Sequence, residues 1–170
     1  VSFLQQGKAN SLRRTKEINM PEYLETTVDK FIFRVATDCF YNSEGVWARP
    51  EGSQVKIGLS DFVQQRSGDV AFAEVKPEGA ELNFDDEIAI IETIKVDISF
   101  SSPLTGKVVQ VNPAMEEAPE VINEDPYGEG WIASIQPADW ETDRARLLDP
   151  DQYFSRMKSE AEEELTKGNE

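Results

Sequence analysis

Short runs of β-branched and aromatic residues recur along the middle of this chain, each closed by a cluster of Gly, Pro, Asn or Asp, and no other feature restricts the fold as tightly. Phe31-Ile32-Phe33-Arg34-Val35 is the first such run. Val46-Trp47-Ala48-Arg49 and Gln54-Val55-Lys56-Ile57-Gly58 follow, separated by the turn Pro50-Glu51-Gly52-Ser53. Further strands are expected over 69–75, 87–93, 106–111 and 131–135, with Asn42-Ser43-Glu44-Gly45 and Pro77-Glu78-Gly79 as turns. Strands at roughly 8–12-residue spacing with such turns specify an all-β sandwich or flattened barrel.

Helical signals are confined to the margins. Residues 21–30 are polar and read as a short helix. Ser60 is a candidate N-cap for a helix over 60–65, with Gly68 as its stop. Asn112-Pro113 opens a second short helix running to Glu117. Late in the chain the apolar period changes. Asp149 can cap a helix with Pro150 at its first position, and Tyr153, Met157, Ala161 and Leu165 then form one apolar stripe at i, i+4 spacing. Three regions are expected: a basic extension over 1–19, a β domain over 20–148, and a helix over 149–170 packed on that domain with a frayed acidic end. Four basic residues (Lys8, Arg13, Arg14, Lys16) against Glu17 set the first region apart, and Met20 is a candidate natural start.

Composition removes several functions. With 17 Lys+Arg against 33 Asp+Glu the net charge is −16, a surface that repels nucleic acid and anionic membranes and suits basic partners. There is no histidine, so the commonest general base and metal ligand is missing. A single cysteine, Cys39, allows no internal disulfide and reads as buried packing beside Phe40 and Tyr41. These features fit a cytoplasmic monomer. The acidic runs Asp85-Asp86-Glu87 and Glu116-Glu117 could bind a hard cation or do acid–base work. In so acidic a chain, chance adjacency explains them better, and no independent catalytic or metal site is expected.

Lys95 is the residue that carries function. It lies between an apolar run ending at Thr93 and the alternating run Val96, Ile98, Phe100, so it falls at the crown of a β-turn. An amine there points into water and is open to another protein, as the attachment point of a carrier domain must be. Glu92, Ile94 and Val96 are its surround, with Glu92 either recognised by an attaching enzyme or simply an exposed strand residue.

Five motifs in one order extend this reading: Gly58-Leu59-Ser60-Asp61-Phe62, Gly68-Asp69-Val70-Ala71-Phe72-Ala73-Glu74, Glu92-Thr93-Ile94-Lys95, Ser102-Pro103-Leu104-Thr105-Gly106, and Asn123-Glu124-Asp125-Pro126-Tyr127-Gly128-Glu129-Gly130-Trp131. From about Phe40 to Phe154 the chain resembles the H proteins of the glycine cleavage system. The resemblance implies a lipoyl/biotinyl-type β-sandwich of the hybrid-motif kind. It also implies lipoic acid amide-linked to Lys95 by a lipoate-attaching enzyme. H proteins are non-catalytic; they carry an aminomethyl group on reduced lipoate between glycine decarboxylase, aminomethyltransferase and dihydrolipoamide dehydrogenase. Tethering raises the effective concentration of the cofactor at each partner.

Three departures from the family pattern bear on the pathway. H proteins typically read Glu-Ser-Val-Lys-Ala where this chain has Glu92-Thr93-Ile94-Lys95-Val96. They usually carry a histidine at the position of Gly45. The segment Asp139-Trp140-Glu141, like the lysine surround, is more similar to a related branch of lipoate-binding proteins. That branch serves a heterodisulfide-reductase-like complex in sulfur oxidation. A sulfur carrier is therefore slightly favoured, with glycine cleavage as the alternative. A biotin carrier shares the architecture but usually flanks its lysine with methionines. An unmodified binding module is the remaining alternative, in which Lys95 is an ordinary solvated turn residue.

Overall fold

The computed structural model describes residues 22–168, and the expectations for residues 1–19 and for Met20 lie outside them. Eleven strands form three antiparallel sheets among these residues, and the mainly β expectation holds. Six of the strands make one sheet. In spatial order they are β3 (Phe40–Tyr41), β4 (Val46–Glu51), β5 (Gln54–Leu59), β11 (Ala133–Pro137), β10 (Gly106–Val111) and β7 (Glu81–Leu82). Three more, β6 (Val70–Val75), β8 (Glu87–Thr93) and β9 (Asp97–Ser101), form the second sheet. Side chains from both sheets meet in one core that includes Val46, Ala48, Ile57, Ile88, Ile91, Phe100 and Ile135. Each of the larger ones, all but Ala48, stabilises the fold when buried by roughly 1.5–3 kcal/mol relative to exposure.

Alternation along β4 sends Trp47 to the opposite face from Val46 and Ala48. There it enters a second core with Tyr41, Phe62, Tyr127, Tyr153 and Met157. Its indole N–H donates to the carbonyls of Leu59 at 3.1 Å and Pro126 at 3.0 Å, so burial leaves no orphaned donor. Gly58 makes room for that ring: a Cβ there would lie 2.5 Å from Trp47 Cζ2. This second core is roofed by the last helix, α5 (Pro150–Gly168). Its start follows the sequence signal closely. Asp149 accepts from Gln152 N at 2.8 Å while the Gln152 side chain accepts from Asp149 N at 2.9 Å, a reciprocal capping box. Tyr153, Met157 and Ala161 on its stripe are buried, and Leu165 is partly exposed.

The short helix expected over 21–30 is instead a strand. β1 (Tyr23–Val28) and β2 (Phe31–Ala36) form an antiparallel hairpin, in register from Tyr23↔Ala36 to Val28↔Phe31. Pairing with β2 prevails over the polarity of the segment, because the β-branched Thr26, Thr27 and Val28 suit the pleated, half-buried surface that the pairing creates. The turn is made by Asp29 at φ 59°, a left-handed conformation that Asp tolerates. Smaller adjustments occur elsewhere. The helix after Asn112 spans Ala114–Glu117, with Pro113 as its N-cap, and Asn112 Oδ1 accepts from Ala114 N at 3.1 Å. The last strand begins at Ala133 rather than Trp131. Helices α3 (Val121–Glu124) and α4 (Trp140–Arg144) were not foreseen. No helix among the described residues is long and apolar enough to cross a membrane. Cys39 is fully buried, and burial pushes its thiol well above the usual range.

Candidate functional site

Lys95 stands at the crown of the β8–β9 hairpin, where Glu92↔Asp97 is the last ladder pair. Ile94, Lys95 and Val96 are all exposed, as the sequence implied. The turn is organised by one hydroxyl. Thr93 Oγ1 accepts from Lys95 N at 3.2 Å and from Val96 N at 3.1 Å, and donates to Val96 O at 3.0 Å. A backbone bond from Thr93 N to Val96 O at 2.8 Å closes the same loop. Glu92 is half-buried, with Phe72 of β6 opposite it on the other side.

The lysine does not wave freely in this structure. Its Nζ donates to the carbonyl of Arg66 at 2.9 Å. Arg66 belongs to α1 (Asp61–Ser67), capped by Ser60 as expected: Ser60 Oγ accepts from Val63 N at 3.3 Å. The helix stops at Gly68, with φ 90° and ψ −172°, a region essentially restricted to glycine. The lysine stem passes directly over Gly68, where a Cβ would sit 3.2 Å from Lys95 Cε. The helix terminus therefore does two things: it offers a free carbonyl to the amine and a bare backbone to its stem.

Asn123, in α3 at the start of the last motif, holds this platform. Its Nδ2 donates to Gly68 O and to Gln64 Oε1, both at 3.0 Å, and its Oδ1 accepts from Val70 N at 2.9 Å. Ile94 N also donates to Asp69 O at 3.1 Å, tying the lysine turn to the same segment. The sequence showed Asn123 as part of a motif but gave no sign of this role. Arg66 itself was missed, because a mid-chain arginine carries no local signal.

Beside Lys95 lies a cavity of about 440 Å³, within the roughly 300–1,000 Å³ range of ligand pockets. Phe31, Phe33 and Phe62 give it an apolar wall, and Ala161 and Leu165 of α5 contribute another. Arg66 stands at its margin, paired with Glu160 at 3.3 Å and Glu164 at 3.2 Å. Such partly exposed pairs add about 0–1 kcal/mol each, so they orient more than they stabilise. The donor set suits an acyl amide on Lys95. An amide nitrogen keeps one N–H for Arg66 O, and an alkyl chain has an apolar wall to lie against. No cluster of three potential metal ligands occurs among the described residues, and the runs Asp85-Asp86-Glu87 and Glu116-Glu117 form none.

The family model described as Glycine cleavage H-protein matches residues 39–160. A glycine cleavage system H protein of Thermus thermophilus is 38% identical over 127 residues, covering 75% of this chain and 98% of the relative. One from Anaeromyxobacter sp. (strain K) is 38% identical over 119 residues, covering 70% and 92%. A crystal structure of a glycine cleavage system H protein from Mycobacterium marinum matches with a TM-score of 0.62 at 25% identity, covering 71% of this chain and 96% of that one.

Proposed function

The chain belongs to the glycine cleavage H-protein family, and on that premise we propose that Lys95 bears its lipoyl arm and that the arm serves glycine cleavage. Members of the family are non-catalytic and carry lipoic acid on a lysine. The observation that carries the assignment to Lys95 is its place at an exposed three-residue crown, with its stem laid over Gly68 and its amine on Arg66 O. Lipoate, when attached, supplies a dithiol/disulfide pair that takes up a one-carbon amine unit. The chain's own residues present and aim it. Thr93 fixes the turn, Arg66 O directs the first bond of the arm, and the acidic surface suits basic partner surfaces. Glu92 is part of the proposal as a recognition residue for the attaching enzyme. The partners proposed are glycine decarboxylase, aminomethyltransferase and dihydrolipoamide dehydrogenase. Residues 20–148 are proposed as the lipoyl domain, with 149–170 as its packed helix.

The slight preference for a sulfur carrier finds no support in these relatives, which are named as glycine cleavage system H proteins. The three departures that motivated it have structural accounts. Gly45 has φ +86°, and a Cβ there would collide with Val63 and approach Tyr153 Oη to 2.8 Å, so packing against α5 and backbone geometry dictate glycine. Thr93 supplies a hydroxyl to the turn, as the serine usual in the family can. Asp139-Trp140-Glu141 starts α4: Asp139 caps it through Thr142 N at 3.3 Å, and Trp140 packs edge-on against Phe40 at 6.0 Å.

The test is peptide mass spectrometry of the protein from its host, joined to glycine–bicarbonate exchange with purified glycine decarboxylase. A lipoyl mass on the Lys95 peptide and exchange dependent on this protein are expected. Lys95→Arg keeps the charge but lacks an acylable amine, so it should fold normally and lose both signals. Exchange supported by Lys95→Arg, or a lipoylated wild type that never supports it, would overturn the assignment.

A further inference from the structure

Strand β9 keeps an open edge two residues from Lys95, and the direction of its main-chain groups follows from the ladder. Thr93 N donates to Val96 O at 2.8 Å, so that pair is hydrogen-bonded. In an antiparallel ladder the next pair, Glu92↔Asp97, is then a non-hydrogen-bonded one. Alternation turns the N–H and C=O of Asp97 and of Ser99 away from β8. Ser101 confirms the direction from the far end of the strand. Its N–H donates to Glu44 Oε1 at 2.8 Å, and its carbonyl accepts from Asn42 Nδ2 at 3.0 Å. No side-chain or loop hydrogen bond among the described residues reaches the main chain of Asp97 or Ser99.

Strand β2 shows how this chain closes an edge. Arg34 N donates to Asp61 Oδ2 at 3.0 Å, Gln65 Nε2 to Ile32 O at 2.9 Å, and Tyr127 Oη to Arg34 O at 2.8 Å. On β9 only Ser101 is treated in this way. A groove of about 340 Å³ runs beside the rest, with Ile98, Ser99 and Phe100 on one wall and Ser43, Glu44 and Arg66 on the other. An unpaired edge is a template for an added strand. Its donors and acceptors recur every two residues, a period that another extended chain matches. The open end is acidic, because Asp97 and Glu92 are cross-strand neighbours. A second copy is a poor occupant: pairing two β9 edges would bring together the Asp97 carboxylates of two chains, each of net charge −16.

We propose that the open edge of β9, Asp97 to Ser99, is the docking strand for an extended, basic segment of the enzyme that acylates Lys95. The proposal rests on the lipoyl reading of Lys95. That enzyme meets the chain before any arm exists, so it has only the polypeptide to recognise. A strand added beside Asp97 fixes the direction in which the hairpin crown enters the enzyme, and basic side chains on it are met by Asp97 and Glu92.

The experiment follows acylation of the full chain by a purified lipoate-attaching enzyme with lipoate and ATP, read by intact mass against acceptor concentration. Ser99→Pro removes the outward N–H and leaves the β8–β9 ladder, since proline is tolerated where the N–H faces away from the neighbouring strand. It also removes the Ser99 Oγ bond to Glu87 Oε2 at 2.6 Å, so Ser99→Ala is the control. The KM for acceptor should rise about fivefold in Ser99→Pro at unchanged kcat, the effect of losing one ordinary hydrogen bond. It should stay at the wild-type value in Ser99→Ala and rise in Asp97→Lys. A second measurement needs no variant. With the enzyme present and ATP withheld, amide exchange in the wild type should slow at Asp97 and Ser99. A wild-type KM in folded Ser99→Pro or Asp97→Lys protein, an equal loss in Ser99→Ala, or unslowed exchange at both amides would overturn the docking strand and leave the carrier reading intact. No acylation of the wild type at Lys95 would overturn both.

Discussion

Replacing Gly68 by alanine tests whether the α1 terminus needs glycine for its backbone conformation or for room beside the lysine stem. At φ 90° and ψ −172° the backbone is in a region where a Cβ is strained, at a cost on the order of 1–3 kcal/mol. The added methyl would also sit 3.2 Å from Lys95 Cε. That neighbour is the far end of a flexible, exposed side chain, so it can yield by a few tenths of an ångström. The steric part is then small, below about 0.5 kcal/mol, and most of the cost lies in the backbone. Urea unfolding of Gly68→Ala should show a lower midpoint with unchanged slope. In a double-mutant cycle with Lys95→Ala, the coupling should stay within that ~0.5 kcal/mol. Gly68→Asn should not rescue, because asparagine tolerates the left-handed helical region rather than this one. The Lys95 Nζ to Arg66 O bond should meanwhile weaken, read as faster exchange or a shifted resonance of the lysine ammonium. A Gly68→Ala protein as stable as wild type would refute the backbone argument. A coupling of several kcal/mol would show that Lys95 is far more rigidly held than its exposure implies.

Asn123→Ala removes three hydrogen bonds at the α1–β6 junction and should destabilise by roughly 1–3 kcal/mol. Amide exchange should rise first at Val70, which loses its acceptor; unchanged exchange there would contradict the role given to Asn123. Stability should be flat between about pH 6 and 8, since the chain has no histidine to titrate. It should begin to fall near pH 9, where the Cys39 thiol, raised by burial, would ionise in the unfolded chain, and fall more steeply above pH 10. Burial pushes Tyr153 up from 10.0 to about 12, and burial likewise raises Tyr41 and Tyr127. A group raised on folding stabilises fully below its unfolded pKa and loses that contribution as pH climbs through the folded value. Thermal melts by circular dichroism across this range check it, and a melting temperature constant to about pH 12 would contradict it.

Local sequence determined a good part of this protein. The strand runs, the turns at Gly45 and Gly79, the cap at Ser60 and the Asp149–Gln152 box all follow from dihedral preference and short-range hydrogen bonding, which act within a few residues. The exposed crown at Lys95 was legible for the same reason, since it needs only two flanking strands and a turn. Residues 23–28 resisted such a reading. Their polarity suggested a helix, and only pairing with Phe31–Ala36 and docking on Phe62 made the extended form prevail. Arg66 and Asn123 were invisible for a related reason. The bond from Lys95 to Arg66 spans 29 residues and those of Asn123 span more than 50, so which groups meet depends on how sheets and helices stack. The cavity beside the lysine is likewise a product of tertiary structure. Its walls come from segments far apart in the chain, and their apolar side chains line one hollow only when α1 brings them together.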